Sequence, residues 1–177
     1  MAEVEKVEDQ LKSNLLKLEK LRQEFIRSCN MKLEQKEVNE LDNKLGYLVG
    51  DFCNLIIDNN KICKELIKCD SSFDEKKDGI KFVNNRKKHQ RLSVVITENP
   101  VQNFVLDRSK LDSGDKILGG DVKWSESLLN SKGESKKDKQ KRSFDKYFRE
   151  ESVFVFIDTL IELYKLCLSN YAILNID

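Results

Sequence analysis

A near-heptad runs through Val38, Leu41, Leu45, Leu48, Phe52, Leu55, Asn59, Ile62 and Leu66, apolar at every position but Asn59. Val49, Ile56 and Cys63 widen this stripe. Such a period commits the segment to an amphipathic helix that buries one face. A similar stripe precedes it between Glu5 and Cys29, built from Leu11, Leu15, Leu18, Leu21, Phe25 and Ile26. Two such helices in succession predict a long antiparallel pair with a left-handed packing seam. Gly46 and Gly50 lie one turn apart on the second helix. They are read either as a point of close approach for another helix or as tolerated surface glycines. One proline and seven glycines favour long helices over a turn-rich β fold.

The rest of the chain is less regular. Asp70 to Asp78 is polar and predicts a loop, with Asp78 capping a third helix and Gly79 at its first position. Ile80, Phe82 and Val83 would bury the first turns of that helix. Leu92, Val94 and Ile96 then alternate with Ser93, Val95 and Thr97, and Glu98-Asn99-Pro100 turns the chain towards Phe104-Val105-Leu106. This predicts a β-hairpin or two short extended arms. Residues 107–143 read as a loop-rich insertion. Within it, Lys132 to Arg142 is expected to be mobile: a solvated loop or, less often for a run of mixed charge, a phosphate-binding arm. Trp124 reads as the anchor of that loop, with base stacking as its other use. A final helix starting near Phe144 or Glu151 carries Phe154, Ile157, Leu160, Ile161, Tyr164, Leu168 and Tyr171, and its apolar content places it in the middle of a bundle. The expected fold is mainly α: a single helical domain over 1–177, with a long antiparallel helix pair and a partly irregular or short-β insertion.

Charged residues make up 36% of the chain, yet the formal net charge is only +1. Net charge therefore demands neither nucleic acid nor an anionic membrane as partner, and any such binding must come from a local patch. The five cysteines (Cys29, Cys53, Cys63, Cys69 and Cys167) form no close Cys-x-x-Cys pair. They are read as reduced core thiols of a cytoplasmic protein rather than a disulfide framework or zinc site. The charged start Met-Ala-Glu-Val-Glu-Lys has no apolar signal region. No apolar run reaches the roughly 18–20 residues of a membrane span, and Asp158, Glu162 and Lys165 interrupt the most apolar segment. No phosphate-cradling glycine loop, nucleotide fingerprint or metal-ligand cluster is present, so no cofactor, metal or membrane partner is expected.

The one concentration of reactive groups is Phe82-Val83-Asn84-Asn85-Arg86-Lys87-Lys88-His89-Gln90-Arg91. It holds the only histidine of the chain, among four cations. Histidine both takes and gives protons near neutral pH. Placed on a helix over 80–92, Asn85, Arg86 and His89 share one face, with Cβ atoms about 5–6 Å apart. The asparagine would fix the imidazole tautomer and the arginine would hold a phosphate. That is a minimal set for RNA transesterification, in which His89 moves the proton and Arg86 offsets charge on the phosphorane. Asn84, Lys88 and Arg91 are the candidate substrate contacts. A single histidine serves poorly as both acid and base, which points to a symmetric homodimer that supplies a second. The bland alternative is a solvated histidine in a basic helical segment.

This stretch resembles the motif of the HEPN superfamily, whose local form is Phe-Val-Arg-Asn-x-x-x-His near the start of a late helix. Asn85 and His89 match that form, and Asn84 stands where the family has its arginine. The resemblance implies a small helical bundle acting on RNA, in many members as a metal-independent endoribonuclease of toxin–antitoxin or phage-defence systems. Without the motif arginine, either Arg86 or Arg91 takes its role from another angle, or the protein binds RNA without cutting it. The alternative from another class is a non-catalytic helical interaction module (an antitoxin, immunity or assembly subunit) that binds a protein partner through its helix stripes.

Overall fold

The computed structural model describes residues 2–31, 35–89, 92–98, 120–125 and 139–174. Over these the fold is mainly helical, with one two-stranded antiparallel sheet. Helix α1 (Ala2–Met31) is followed by α2 (Gln35–Phe52), which passes into a single π-helical turn at Cys53–Ile57. Helices α3 (Asn60–Cys69) and α4 (Phe73–Lys88) come next, then strands β1 (Val94–Glu98) and β2 (Gly120–Trp124). Helices α5 (Lys139–Tyr147) and α6 (Val153–Leu174) complete the described chain.

The first two stripes form the expected antiparallel pair. Leu11, Leu18 and Phe25 of α1 and Leu45, Val49 and Phe52 of α2 are fully buried, each contributing roughly 1.5–3 kcal/mol by leaving water. Lys44 of α2 pairs with Glu24 of α1 at 2.8 Å. The other flank of α1 lies on α6, tied by Arg22, whose Nε donates to Asp158 Oδ1 at 2.6 Å and whose Nη2 donates to Oδ2 at 3.3 Å. Helix α6 runs through the core with Phe156, Ile157, Leu160 and Tyr164 buried. The Tyr164 ring meets Phe52 edge-on at 5.2 Å.

The second stripe does not run through to Leu66 as one helix. The Asp58 N–H bonds to the Cys53 carbonyl, and Asn59 then turns extended (φ −83°, ψ 101°). The Asn59 side chain accepts from the N–H groups of Lys61 and Ile62, capping α3. An asparagine that offers its carboxamide to the backbone ends one helix and starts another. Asn59 is thus a cap rather than a member of the stripe.

Helix α4 starts earlier than expected and ends earlier too. Only Asp70 to Ser72 turn, held by Asp70 Oδ1 accepting from the Ser72 N–H at 2.9 Å. Phe73, fully buried, already opens the helix. Gly79 is therefore mid-helix, not its first residue. There the Ser143 hydroxyl of α5 accepts from the Gly79 N–H at 2.8 Å and donates to the Glu75 carbonyl. In an undisturbed helix those two backbone groups face each other. A Cβ on Gly79 would lie 2.9 Å from that hydroxyl and 3.1 Å from the Phe144 nitrogen. Glycine is what lets α5 seat against α4. Above this point Phe82 stacks on Phe144 at 5.0 Å.

The alternating segment does form a strand, but its partner lies further along the chain. β1 pairs with β2 in the register Val94↔Trp124, Ile96↔Val122, Glu98↔Gly120. Val94, Val122 and Trp124 point into the core. The arm expected over Phe104–Leu106 lies outside the described residues, as does most of the 107–143 insertion. Among the described residues of that insertion, β2 and the first residues of α5, Lys139 to Arg142, are regular. Of the two starts expected for the final helix, the one near Glu151 holds, with α6 beginning at Val153, and Phe144 lies in the separate helix α5. Residues 148–152 separate them, and the Ser152 hydroxyl accepts from the Phe154 N–H to cap α6. Among the described residues no helix is long and apolar enough to cross a membrane.

Candidate functional site

The histidine stretch closes α4 instead of opening a helix. His89 is the C-cap (φ −99°, ψ 10°), and Leu92 is already buried at the entrance to β1. The helix expected over 80–92 thus stops at Lys88. Arg86, Lys87 and Lys88 occupy its last turn, where cations offset the negative end of the helix dipole. This placement also departs from the HEPN pattern, in which the motif sits near a helix start.

The candidate residues separate into three groups. Asn84 is buried at 6% exposure and packs towards Gly50 of α2, 3.6 Å from where a Cβ would be. It belongs to the core, and its Oδ1 has no hydrogen-bond partner. Asn85 and Arg86 are engaged by neighbours: the Asn85 amide donates to Gln140 Oε1 of α5 at 3.1 Å, and the Arg86 guanidinium covers the Phe82 ring of its own helix at 5.1 Å. Lys88 and His89 are exposed at the open end of the helix. Arg91 lies outside the described residues.

Lys87 behaves differently from its neighbours. Its side chain is only 6% exposed and forms an ion pair with Asp42 of α2, itself 13% exposed. Its ammonium also lies 5.6 Å from the centroid of Trp124. Trp124 is wedged against Phe144 and Phe156 at 5.8 and 5.4 Å and is 3% exposed, so it anchors the sheet and offers no face to a base. Burial is the largest influence on both ionised partners. It lowers the Lys87 pKa against the pull of Asp42. It raises the Asp42 pKa against Lys87 and the Val94 N–H.

This pair forms the floor of a cleft of about 530 Å³ between α2 and the α4–β1 junction. Leu92 lines it from below, and Asn43, Tyr47 and Lys88 stand at its rim. A second cleft, of about 330 Å³, opens between α1 and α2 and is lined by Lys17, Lys20 and Lys44. Tyr47 belongs to both clefts and is 78% exposed. The local pattern around Tyr47 and Asp42 on α2 gives no sign of these clefts. Only the two glycines hinted at them: Gly46 faces Lys87 and Gly50 faces Asn84, so α4 does approach here.

The five cysteines are unpaired. Among the described residues no group of three His, Cys, Asp or Glu side chains is placed to hold a metal ion. No family model, no curated protein and no solved structure matches the chain.

Proposed function

We propose that the protein is a helical, HEPN-like RNA-binding module, and that the open end of α4 contacts the phosphate backbone without cutting it. The observation that carries this reading is the exposure of Lys88 and His89 together at the end of α4, with Lys88 on the rim of the larger cleft. An exposed lysine beside an open polar cleft, with a histidine that can donate a hydrogen bond next to it, suits a phosphate backbone. Binding without cleavage is favoured because the partners a histidine needs are engaged elsewhere. The Asn85 amide is bonded to Gln140, Arg86 is stacked on Phe82, and Asn84, in the position of the motif arginine, is in the core.

Fluorescence anisotropy with a labelled single-stranded RNA, followed by a denaturing gel of the same RNA, tests this. The reading expects saturable binding, intact RNA, and a Lys88→Ala variant that binds more weakly and whose salt slope is lower by about one. Cleavage that disappears in His89→Ala would replace the binding reading with a nuclease. A helical module that binds only a protein partner would show no RNA affinity at all.

A further inference from the structure

Tyr47 lies off the buried stripe of α2, on the ridge between the two clefts. One side of the ring carries Lys17, Lys20 and Lys44, against Glu24 and Asp51. The other carries Lys88 and Asn43 above the Asp42–Lys87 pair. Lysines outnumber acids on both sides, and Lys17, Lys20 and Lys88 are exposed.

An open aromatic face with cations to either side is the chemistry of single-stranded nucleic-acid binding. The ring takes a base and the cations follow the backbone. We infer that Tyr47 is a stacking platform for a base of single-stranded RNA, whose backbone crosses α2 from the Lys17–Lys20 side to Lys88. This rests on the RNA-binding reading above and assigns it a seat. The Asn43 carboxamide, one turn before Tyr47 in the same cleft, offers a donor and an acceptor to the edge of that base. A duplex keeps its bases stacked and offers no such face. An acidic peptide would satisfy the lysines and leave the ring unused.

The test uses the full chain and a fluorescein-labelled RNA of about 12 nucleotides, long enough to span such a site. Tyr47 is 78% exposed, so Tyr47→Ala is expected to melt at the wild-type temperature. It should bind about tenfold more weakly, the size expected for one lost stacking contact. Tyr47→Phe should bind like wild type, and a blunt duplex of the same sequence should bind worse than the single strand. If wild type binds the single strand but Tyr47→Ala binds equally well, the stacking seat is overturned and RNA binding stands. Equal affinity for duplex and single strand also overturns the seat. If wild type binds no RNA, the underlying reading falls with it, and binding of a labelled polyglutamate peptide in its place would assign the surface to an acidic protein partner.

Discussion

The Lys87 ammonium and the Asp42 carboxylate are ion-paired across the α2–α4 contact, 45 residues apart in sequence, and both are nearly out of water. Removing one member of such a pair strands the other charge, whereas removing both does not. Lys87→Met should therefore destabilise the protein by about 3 kcal/mol, and Asp42→Leu combined with Lys87→Met should regain most of it. Denaturant unfolding of wild type and the two variants checks this.

The same pair gives a pH dependence with a definite sign. The folded-state pKa of Asp42 lies above its ordinary value because burial outweighs its partners, of which Lys87 is the first. Loss of Lys87 lifts it further. A carboxyl raised in the folded state contributes stability at low pH and loses it as pH rises through the folded pKa. The deficit of Lys87→Met relative to wild type should thus be larger at neutral pH than in mild acid. A deficit that grows on acidification would contradict the assignment.

The two close approaches of α4 differ in how much room they leave. At Gly79 an added methyl meets Ser143 Oγ at 2.9 Å and Phe148 at 3.0 Å. At Gly46 it meets only the Lys87 side chain, at 3.5 Å. Gly79→Ala should lower stability by about 2 kcal/mol through overpacking. Gly46→Ala should be neutral or stabilising by up to about 1 kcal/mol from helix propensity. Thermal melts of the two variants decide this.

Asn59 separates α3 from the π-helical turn by accepting two backbone N–H bonds at 3.2 Å. Asn59→Ala should lose about 1 kcal/mol, and Asn59→Asp should retain the cap. Equal melting of wild type and Asn59→Ala would argue against a capping role.

The helices were legible in the sequence because periodicity reports burial directly. The α1–α2 pair and α6 follow their stripes. What the sequence concealed came from contacts distant along the chain or from local competition for backbone groups. Asn59 satisfies the heptad while its carboxamide ends the helix. β1 takes its partner from Gly120–Trp124, well beyond Pro100, the residue that suggested a nearer turn. At the candidate site the basic run read as one unit, and tertiary packing divides it. Lys87 goes inward to Asp42, Asn85 goes to Gln140 of α5, Arg86 folds back over Phe82 of its own helix, and Lys88 and His89 stay in water. Nothing local in the sequence distinguishes Lys87 from Lys88, because the carboxylate that does so lies on another helix.

The thiols give a further check on the core. Burial pushes Cys53 and Cys167 up to about 12 and Cys29 up to about 11. Cys69 is exposed. A thiolate-directed reagent at mildly alkaline pH should modify Cys69 first, with Cys29, Cys53 and Cys167 reacting only on unfolding. Fast labelling of Cys53 in the native protein would contradict its burial in the core.

Ultraviolet cross-linking of single-stranded RNA to the full chain, with adducts mapped by mass spectrometry, tests the central claim most directly. The account predicts nucleotide adducts on the α2 peptide containing Tyr47 and on the peptide spanning Lys88 and His89. Adducts confined to the α1–α6 face around Arg22 and Asp158, or none at all, would contradict it.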